Sequence, residues 1–211
     1  MVVAEYRAYR CHLLRQDGPR LIQKTCARVL PVAFGVAMLV VPMRTYAADA
    51  QPAGIDACAL LTPDEVSAVV GKQVGNGQPF DDGITAQGAH STTCMWAAPL
   101  PPGVEPDPTK RLGGRGFVVV GVMNWPGGPS DARKFLDDFQ KAFEQHDIDS
   151  KPVAVNVGAD DSLWWGDGVA ARKNAVSFGV SVAQFGDRAT RQPQAESLAK
   201  LIVKRLPARI P

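Results

Sequence analysis

The fold is decided by a short segment at residues 56–66, which reads DACALLTPDEV. The spacing of Thr62 and Glu65 predicts a capping box: the Thr62 hydroxyl accepts from the backbone N–H of Glu65, and the Glu65 carboxylate accepts from the backbone N–H of Thr62. Pro63 suits the first helical position, where its missing N–H is no loss. The segment therefore predicts a short helix over residues 63–70.

Two cysteines are candidates for a crosslink between this helix and a later part of the chain. Cys58 lies directly before the helix, and Cys94 lies in the β-prone run STTCMW at residues 91–96. If the two cysteines pair, the disulfide joins the helix to a strand and stabilises the fold by about 4 kcal/mol in the chain-entropy account. Two buried free thiols are the alternative, and the redox compartment decides between them.

The amino terminus has the features of a secretory leader. Six Lys/Arg and two Asp/Glu precede an uncharged run from Val29 to Met43, and an Ala-rich exit follows. We expect cleavage after Ala47, with Ala50 as the second choice. A retained membrane anchor is the alternative, but the run has about fifteen residues, including two Pro and one Gly, and a spanning helix needs about 20. The sequence therefore predicts a signal peptide at residues 1–47 and export to the periplasm or the exterior.

Cleavage would leave an oxidisable pair of cysteines. Cys11 and Cys26 leave with the leader, so the mature chain keeps Cys58 and Cys94 in a compartment that favours a disulfide. Cys26 precedes the apolar run, so it cannot become a lipid-modified first residue. We therefore expect no stable membrane insertion of the mature protein.

The charge of the mature chain narrows the class of partner. The whole chain carries 23 Lys/Arg and 21 Asp/Glu. The leader through Ala47 holds 7 and 2 of these, which leaves 16 against 19 and a net charge of −3. A mildly acidic domain without a Lys/Arg cluster argues against nucleic acid and against anionic membrane surfaces. Residues 48–211 have the length of a single domain.

The order of the remaining elements predicts an α+β domain. Residues 72–89 are predicted as a turn-rich connection in which Asp81-Asp82-Gly83 is a turn, with one short strand at its start, and residues 99–116 as a surface loop. A second helix is capped by Ser130, and a third opens at Pro193. Strands are expected at 92–97, 117–123, 152–157, from Leu163, and in a hairpin of 169–172 and 176–185 turned at Lys173-Asn174. The sum is an antiparallel sheet with three helices packed on it, crosslinked by one disulfide.

Several of these residues together resemble a known family. The contexts of Cys58 and Cys94, the segment VGADD at 157–161 before Leu163-Trp164, and the closing helix with Leu198-Ala199 are similar to an exported bacterial family of domains of unknown function (domain of unknown function 3558), best represented among actinobacterial lipoproteins. The resemblance covers residues 55–207 and implies a PsbP-type α+β sandwich. This chain departs from the family pattern in lacking a lipid-attachment cysteine after the leader. The family has no established catalytic residues that could be carried over.

The sequence contains no catalytic, cofactor or metal motif that we can identify. Only His90 and His146 follow the leader, and neither accompanies a nucleophile in a recognisable motif. The carboxylate pairs Asp81-Asp82 and Asp160-Asp161 are interpreted as turn formers and not as metal ligands. The segment RLGGRG at 111–116 is interpreted as a flexible loop, because it does not match a phosphate-binding loop. We therefore predict no cofactor.

Two adjacent tryptophans are the candidate contact for a ligand or partner. Trp164 and Trp165 are consecutive, so in a strand they point to opposite faces and only one can enter a given core. An exposed tryptophan beside Asp161 and Asp167 would suit a ligand or partner protein. The alternative is that both are covered.

Two functional hypotheses follow. The first is a non-catalytic exported domain that binds a partner protein or a small apolar ligand near Trp164 or Trp165. The alternative is a periplasmic hydrolase that uses Asp160 or Asp161 with His90 or His146.

Overall fold

The computed structural model describes residues 54–145 and 151–207. The chain divides into two units, Met1–Tyr46 and Ala47–Pro211, and the described residues belong to the second. The predicted signal peptide at residues 1–47 and the candidate residue His146 lie outside the described residues.

Three α-helices and seven β-strands make up the described part of the chain. The helices are α1 (Pro63–Val70), α2 (Pro129–Gln145) and α3 (Arg188–Arg205). The strands are β1 (Gln78–Ile84), β2 (His90–Ala97), β3 (Phe117–Asn124), β4 (Val153–Ala154), β5 (Asp161–Trp164), β6 (Gly168–Lys173) and β7 (Val176–Ala183). Short 3-10 helices occupy Ala57–Leu60 and Arg111–Gly114.

The strands form one antiparallel sheet in the order β1-β2-β3-β7-β6-β5-β4. Helices α1 and α3 pack on the face that carries Cys94, Val120 and Val180, which we call the inner face. Helix α2 packs on the opposite, outer face over β6 and β7. The predicted α+β fold, an antiparallel sheet with three helices packed on it, is confirmed.

The main core lies between the inner face and α3. Val120 and Val180 are opposite each other on the two central strands, and both are fully buried. Leu198 and Ile202 of α3 are buried in the same cluster, as the apolar periodicity of this helix predicts. On the outer side of β7, Ser177 is buried because its hydroxyl accepts from the Trp125 indole Nε1–H at 2.8 Å.

The predicted disulfide between Cys58 and Cys94 is confirmed, with Cα atoms 5.1 Å apart. The Asp56 carboxylate caps the 3-10 helix that carries Cys58 by accepting from the Cys58 N–H at 2.8 Å. Gly77 passes so close to this bond that an added Cβ would lie 2.6 Å from Cys94 Sγ and 2.9 Å from Trp96 Nε1. Only glycine therefore fits beside the crosslink.

The predicted capping box of α1 is confirmed and has an additional partner. The Thr62 N–H donates to Glu65 Oε2 at 2.9 Å, and the Glu65 N–H donates to the Thr62 hydroxyl at 3.3 Å. Arg205 at the end of α3 donates to both carboxylate oxygens of Glu65, at 2.6 and 2.7 Å, and to the Leu60 carbonyl at 2.8 Å. These bonds join the first and last helices of the domain.

The prediction that the last helix opens at Pro193 is wrong, because α3 begins five residues earlier at Arg188. The Asp187 carboxylate accepts from the N–H and hydroxyl of Thr190, at 2.8 and 2.7 Å, and so satisfies the first turn. Helix α2 likewise begins at Pro129, two residues before the start at residue 131 that an N-cap at Ser130 predicts. Pro193 was thus correctly predicted to lie in a helix but at the wrong position in it, whereas Ser130 lies inside α2 and not at its N-cap.

The interpretation of Asp81-Asp82-Gly83 as a turn is also wrong, because these residues lie in β1 at a register shift between Asp81 and Gly83. The Asp82 carboxylate accepts from the Ser91 and Thr93 hydroxyls on β2, at 3.3 and 2.7 Å. The two carboxylates are therefore used across the strand pair and not in a solvated turn.

Several strand boundaries differ from the predictions, three of them in ways that change the local structure. Strand β4 is limited to Val153–Ala154, although a strand over 152–157 was predicted. Strand β5 was predicted to begin at Leu163, but it begins two residues earlier at Asp161 and ends at Trp164. The β6–β7 turn is formed by Asn174 and Ala175, one residue later than predicted, and Asn174 has the expected positive φ of 55°.

Removal of the disulfide should destabilise the domain strongly. The crosslink closes a separation of 36 residues, so the Cys58→Ala/Cys94→Ala variant should lose about 4 kcal/mol of unfolding free energy. Denaturant titration of the oxidised wild type, the reduced wild type and the double variant measures this. If the double variant unfolded at the same denaturant concentration as the oxidised wild type, the crosslink would have no stabilising role.

The Glu65–Arg205 pair should make stability depend on acid pH. Hydrogen bonds from Arg205, then from the Thr62 N–H, lower the pKa of Glu65 from 4.5 to about 2. Because this pKa is lower in the folded state, the stabilisation is present above pH 4.5 and is lost as the pH falls toward 2. At pH 7, Glu65→Gln should cost about 1 to 2 kcal/mol after allowance for solvent screening.

Unfolding free energies of the wild type and Glu65→Gln at several pH values check this. The difference between the two proteins should shrink as the pH falls from 4.5 to 2. A difference that stayed constant over that range would show that the carboxylate charge contributes nothing.

Candidate functional site

The two candidate tryptophans lie on opposite faces of the sheet, as their spacing predicts. Trp164 ends β5 in the inner core and is 3% exposed, so it cannot contact a ligand in this structure. Trp165 is half-buried beneath α2, with its ring centroid 6.1 Å from that of Phe139 and 6.2 Å from that of Phe143. A ligand or partner contact at Trp165 stays a prediction.

The carboxylates of Asp160 and Asp161 are engaged by Arg172. Asp161 Oδ2 accepts from Arg172 Nε at 2.9 Å and from its Nη2 at 2.6 Å. Asp160 Oδ2 accepts from Arg172 Nη1 at 3.0 Å and from the Asn174 N–H at 2.8 Å. Arg172 lies on β6, so this network holds the start of β5 to the neighbouring hairpin.

His90 pairs with a carboxylate that the sequence analysis did not connect with it. His90 Nε2 lies 2.8 Å from Asp81 Oδ1 on the adjacent strand β1. This hydrogen bond lowers the pKa of the Asp81 carboxyl below its usual value. The other ring nitrogen, Nδ1, is buried against Gly54 with no hydrogen-bond partner among the described residues.

The sheet order keeps His90 away from Asp160 and Asp161. His90 begins β2, and Asp161 begins β5, with β3, β7 and β6 between them. Four strand spacings correspond to about 19 Å, which is beyond hydrogen-bond reach. The hypothetical hydrolytic pair of His90 with Asp160 or Asp161 is therefore not formed.

The described residues contain no group of three or more His, Cys, Asp or Glu side chains that could hold a metal ion. Across the same residues, none of the helices combines the length and the apolar character needed to cross a membrane.

The outer face is left open over the middle of β1, β2 and β3, whereas Phe117 at one end of β3 is buried. We define the open face by Phe80, Thr93, Met95, Val119 and Gly121, which lie on the outer side of these three strands. Phe80 is 48% exposed, and the other four are half-buried. This surface lies apart from the contact that was predicted from the sequence at Trp164 and Trp165.

The floor of the open face carries no bulk at its centre. Gly121 and Gly179 are directly opposite each other on β3 and β7. A Cβ added at Gly121 would meet only the Thr93 hydroxyl, at 3.8 Å, and one at Gly179 only the Val169 carbonyl, at 3.9 Å. A Cβ at either position would therefore be in no more than ordinary van der Waals contact.

A cleft of about 550 Å³ lies at one end of the open face. Its walls are the segment from Gln73 to Gln78 and the end of β2 with Ala98 and Pro99, and Met95 belongs both to the cleft and to the open face. Arg115, which precedes β3, supplies the only charged side chain among the lining residues. A cleft of this size suits a small ligand.

Sequence reasoning missed this cleft because its residues come from two segments that were interpreted as loops. The segment at 111–116 is not simply a flexible loop, since Arg115 Nε donates to the Leu112 carbonyl at 3.0 Å and positions the side chain. The pair Gly113-Gly114 was the available signal, because both adopt positive φ and allow the chain to turn back on itself.

Comparisons of the chain with protein-family models, curated proteins and solved structures find no match. The resemblance to the exported bacterial family of domains of unknown function therefore stays a prediction.

Trp165 should contribute to stability through its contacts with α2. Trp165→Ala removes the ring that packs on Phe139 and Phe143 and should cost about 2 kcal/mol, less than for a fully buried tryptophan. Trp165→Phe keeps part of the aromatic contact and should cost less than half as much. Denaturant unfolding checks both variants, and equal stability of Trp165→Ala and wild type would contradict the packing role.

Proposed function

We propose that the mature protein is an exported, non-catalytic domain that binds a small apolar ligand on the open face. The observation that carries this proposal is the position of α2, which packs on β6 and β7 and leaves the outer face of β1 to β3 without a covering helix among residues 54–145 and 151–207. Apolar surface left open in this way on a small domain is typical of an interaction site.

The composition of the open face supports binding more than chemistry. Met95 and Val119 lie opposite each other, and Phe80 stands at the outer edge beside Thr93. None of these side chains is a general acid or base or a metal ligand of the usual kinds, and the carboxylate beside them, that of Asp82, accepts from the Thr93 hydroxyl at 2.7 Å. The face can therefore bind the apolar part of a ligand, while the cleft beside it supplies polar groups.

Export is part of the proposal and is supported by the disulfide. Disulfides persist in oxidising compartments and are rare in reducing ones. The buried Cys58–Cys94 bond suits a protein that folds after its leader has crossed the membrane. The hydrolase alternative would need His146 as its base, since His90 is placed far from Asp160 and Asp161.

Native mass spectrometry of the exported mature protein, recovered from the periplasm without detergent, tests the proposal. We expect a bound small molecule that is lost in Phe80→Ser/Met95→Gln, because both changes remove apolar contact from the open face. The matched control is Val153→Ser, which changes an exposed apolar residue on the opposite edge of the sheet and should keep the bound molecule.

Three results would contradict the proposal. The bound molecule could survive the double variant, which would place it elsewhere. A protein, and not a small molecule, could be lost in that variant, which would make the face a protein interface. Hydrolysis of an ester or peptide substrate that disappears in His146→Ala would support an enzyme.

A further inference from the structure

We propose that the cleft binds the carboxylate of an alkyl carboxylate through Arg115, and that the alkyl chain lies along β2 on the open face toward Phe80. This inference rests on the proposed function and names the ligand class for the same surface.

The charge of the cleft selects an anion. Arg115 is half-buried and lies beyond salt-bridge distance from every carboxylate in the described part of the chain. The other half-buried arginines, Arg172 and Arg191, pair with aspartates at 2.6 and 3.1 Å. The lining of the cleft contains no Asp or Glu. A guanidinium that is partly removed from water and lacks an internal counter-ion favours an anionic ligand, and its planar donors fit a carboxylate.

The chain before Arg115 fixes the direction of this side chain. Both the backbone N–H and the Nε of Arg115 donate to the carbonyl of Leu112, at 3.3 and 3.0 Å. Leu112 adopts a φ of 48°, a conformation that a leucine rarely takes, and Gly113 and Gly114 continue the left-handed turn. Because Nε is occupied by Leu112, the two terminal nitrogens are the groups available to a ligand in the cleft. Strained backbone of this kind is often retained where it positions a functional group.

The uncharged lining suits the rest of such a ligand. Gln73, Asn76 and Gln78 contribute amide side chains to the lining, and Met95 and Ala97 contribute apolar ones. The carboxylate would therefore meet Arg115 and the amides, and the carbons next to it would meet β2.

The open face sets the length of the apolar part. Ala97, Met95 and Thr93 follow one another on the outer side of β2, and Phe80 is the cross-strand partner of Thr93. Four residues of strand span about 13 Å, which matches an extended chain of about ten carbons. Val119 and Gly121 on β3 border this path, and Gly121 carries no side chain that would project over it.

Titration of the exported mature protein with decanoate, followed by calorimetry, tests the inference. Wild type should bind decanoate, and Arg115→Gln should weaken binding at least tenfold, because a charge-assisted bidentate contact is lost. Arg115→Lys keeps the charge without the planar donors and should be intermediate. Arg133→Gln, at an exposed arginine on α2, makes the same change of net charge and should bind like wild type.

A second variant tests the path of the alkyl chain. Gly121→Val places two methyl groups over the floor and should weaken decanoate at least fivefold while leaving hexanoate, which is too short to reach it, within twofold of wild type. Decanol lacks the carboxylate, so it should bind the wild type no more tightly than it binds Arg115→Gln.

The inference is overturned if decanoate fails to bind wild type, if Arg115→Gln and wild type bind it equally, or if Gly121→Val weakens hexanoate and decanoate to the same extent. Failure of decanoate together with a native small molecule that is still lost in Phe80→Ser/Met95→Gln would reject the carboxylate and leave the proposed function standing. If decanoate fails to bind and no native small molecule is lost in Phe80→Ser/Met95→Gln, both the carboxylate ligand and the proposed function are rejected.

Discussion

The structure depends on the way the first residues of the domain are held in place. Cys58 is bonded to β2, and Glu65, seven residues later, is bound by Arg205 at the end of the last helix. The chain entering the fold is thereby fixed both to the sheet and to its carboxyl-terminal element. Contacts so distant in sequence have a large loop-closure cost, and the covalent bond removes much of that cost from the folding of the whole domain.

With the first and last helices held together, the inner face is covered over its central strands, and the outer face is only half covered. Helices α1 and α3 both pack on the inner side, so a single helix, α2, remains for the outer side in the described chain. A helix about 10 Å wide covers roughly two strands, which is what α2 does on β6 and β7. The open face and the cleft at Arg115 thus follow from the helix count, and the proposed ligand takes the place that a fourth helix would fill.

The sequence predicted those features that rest on local chemistry. Helix α1, its capping box and the disulfide could be predicted because Thr62, Glu65 and the cysteine spacing act over short distances or through covalent pairing. The start of α3 was missed because Asp187 and Pro193 are both acceptable helix openers, and only packing decides between them. The cleft could not be predicted, since it joins residues 73–78 to Arg115 through the pairing of β1, β2 and β3.

The central claim is that the protein is exported, that its leader at residues 1–47 is removed, and that the crosslinked domain remains. Alkylation with and without prior reduction, followed by mass spectrometry of the protein in the periplasmic fraction, tests it directly. The account predicts a chain that begins at Ala48 and whose Cys58 and Cys94 react with the alkylating agent only after reduction. A chain found in the cytosol, beginning at Met1 with both thiols alkylated without reduction, would contradict it.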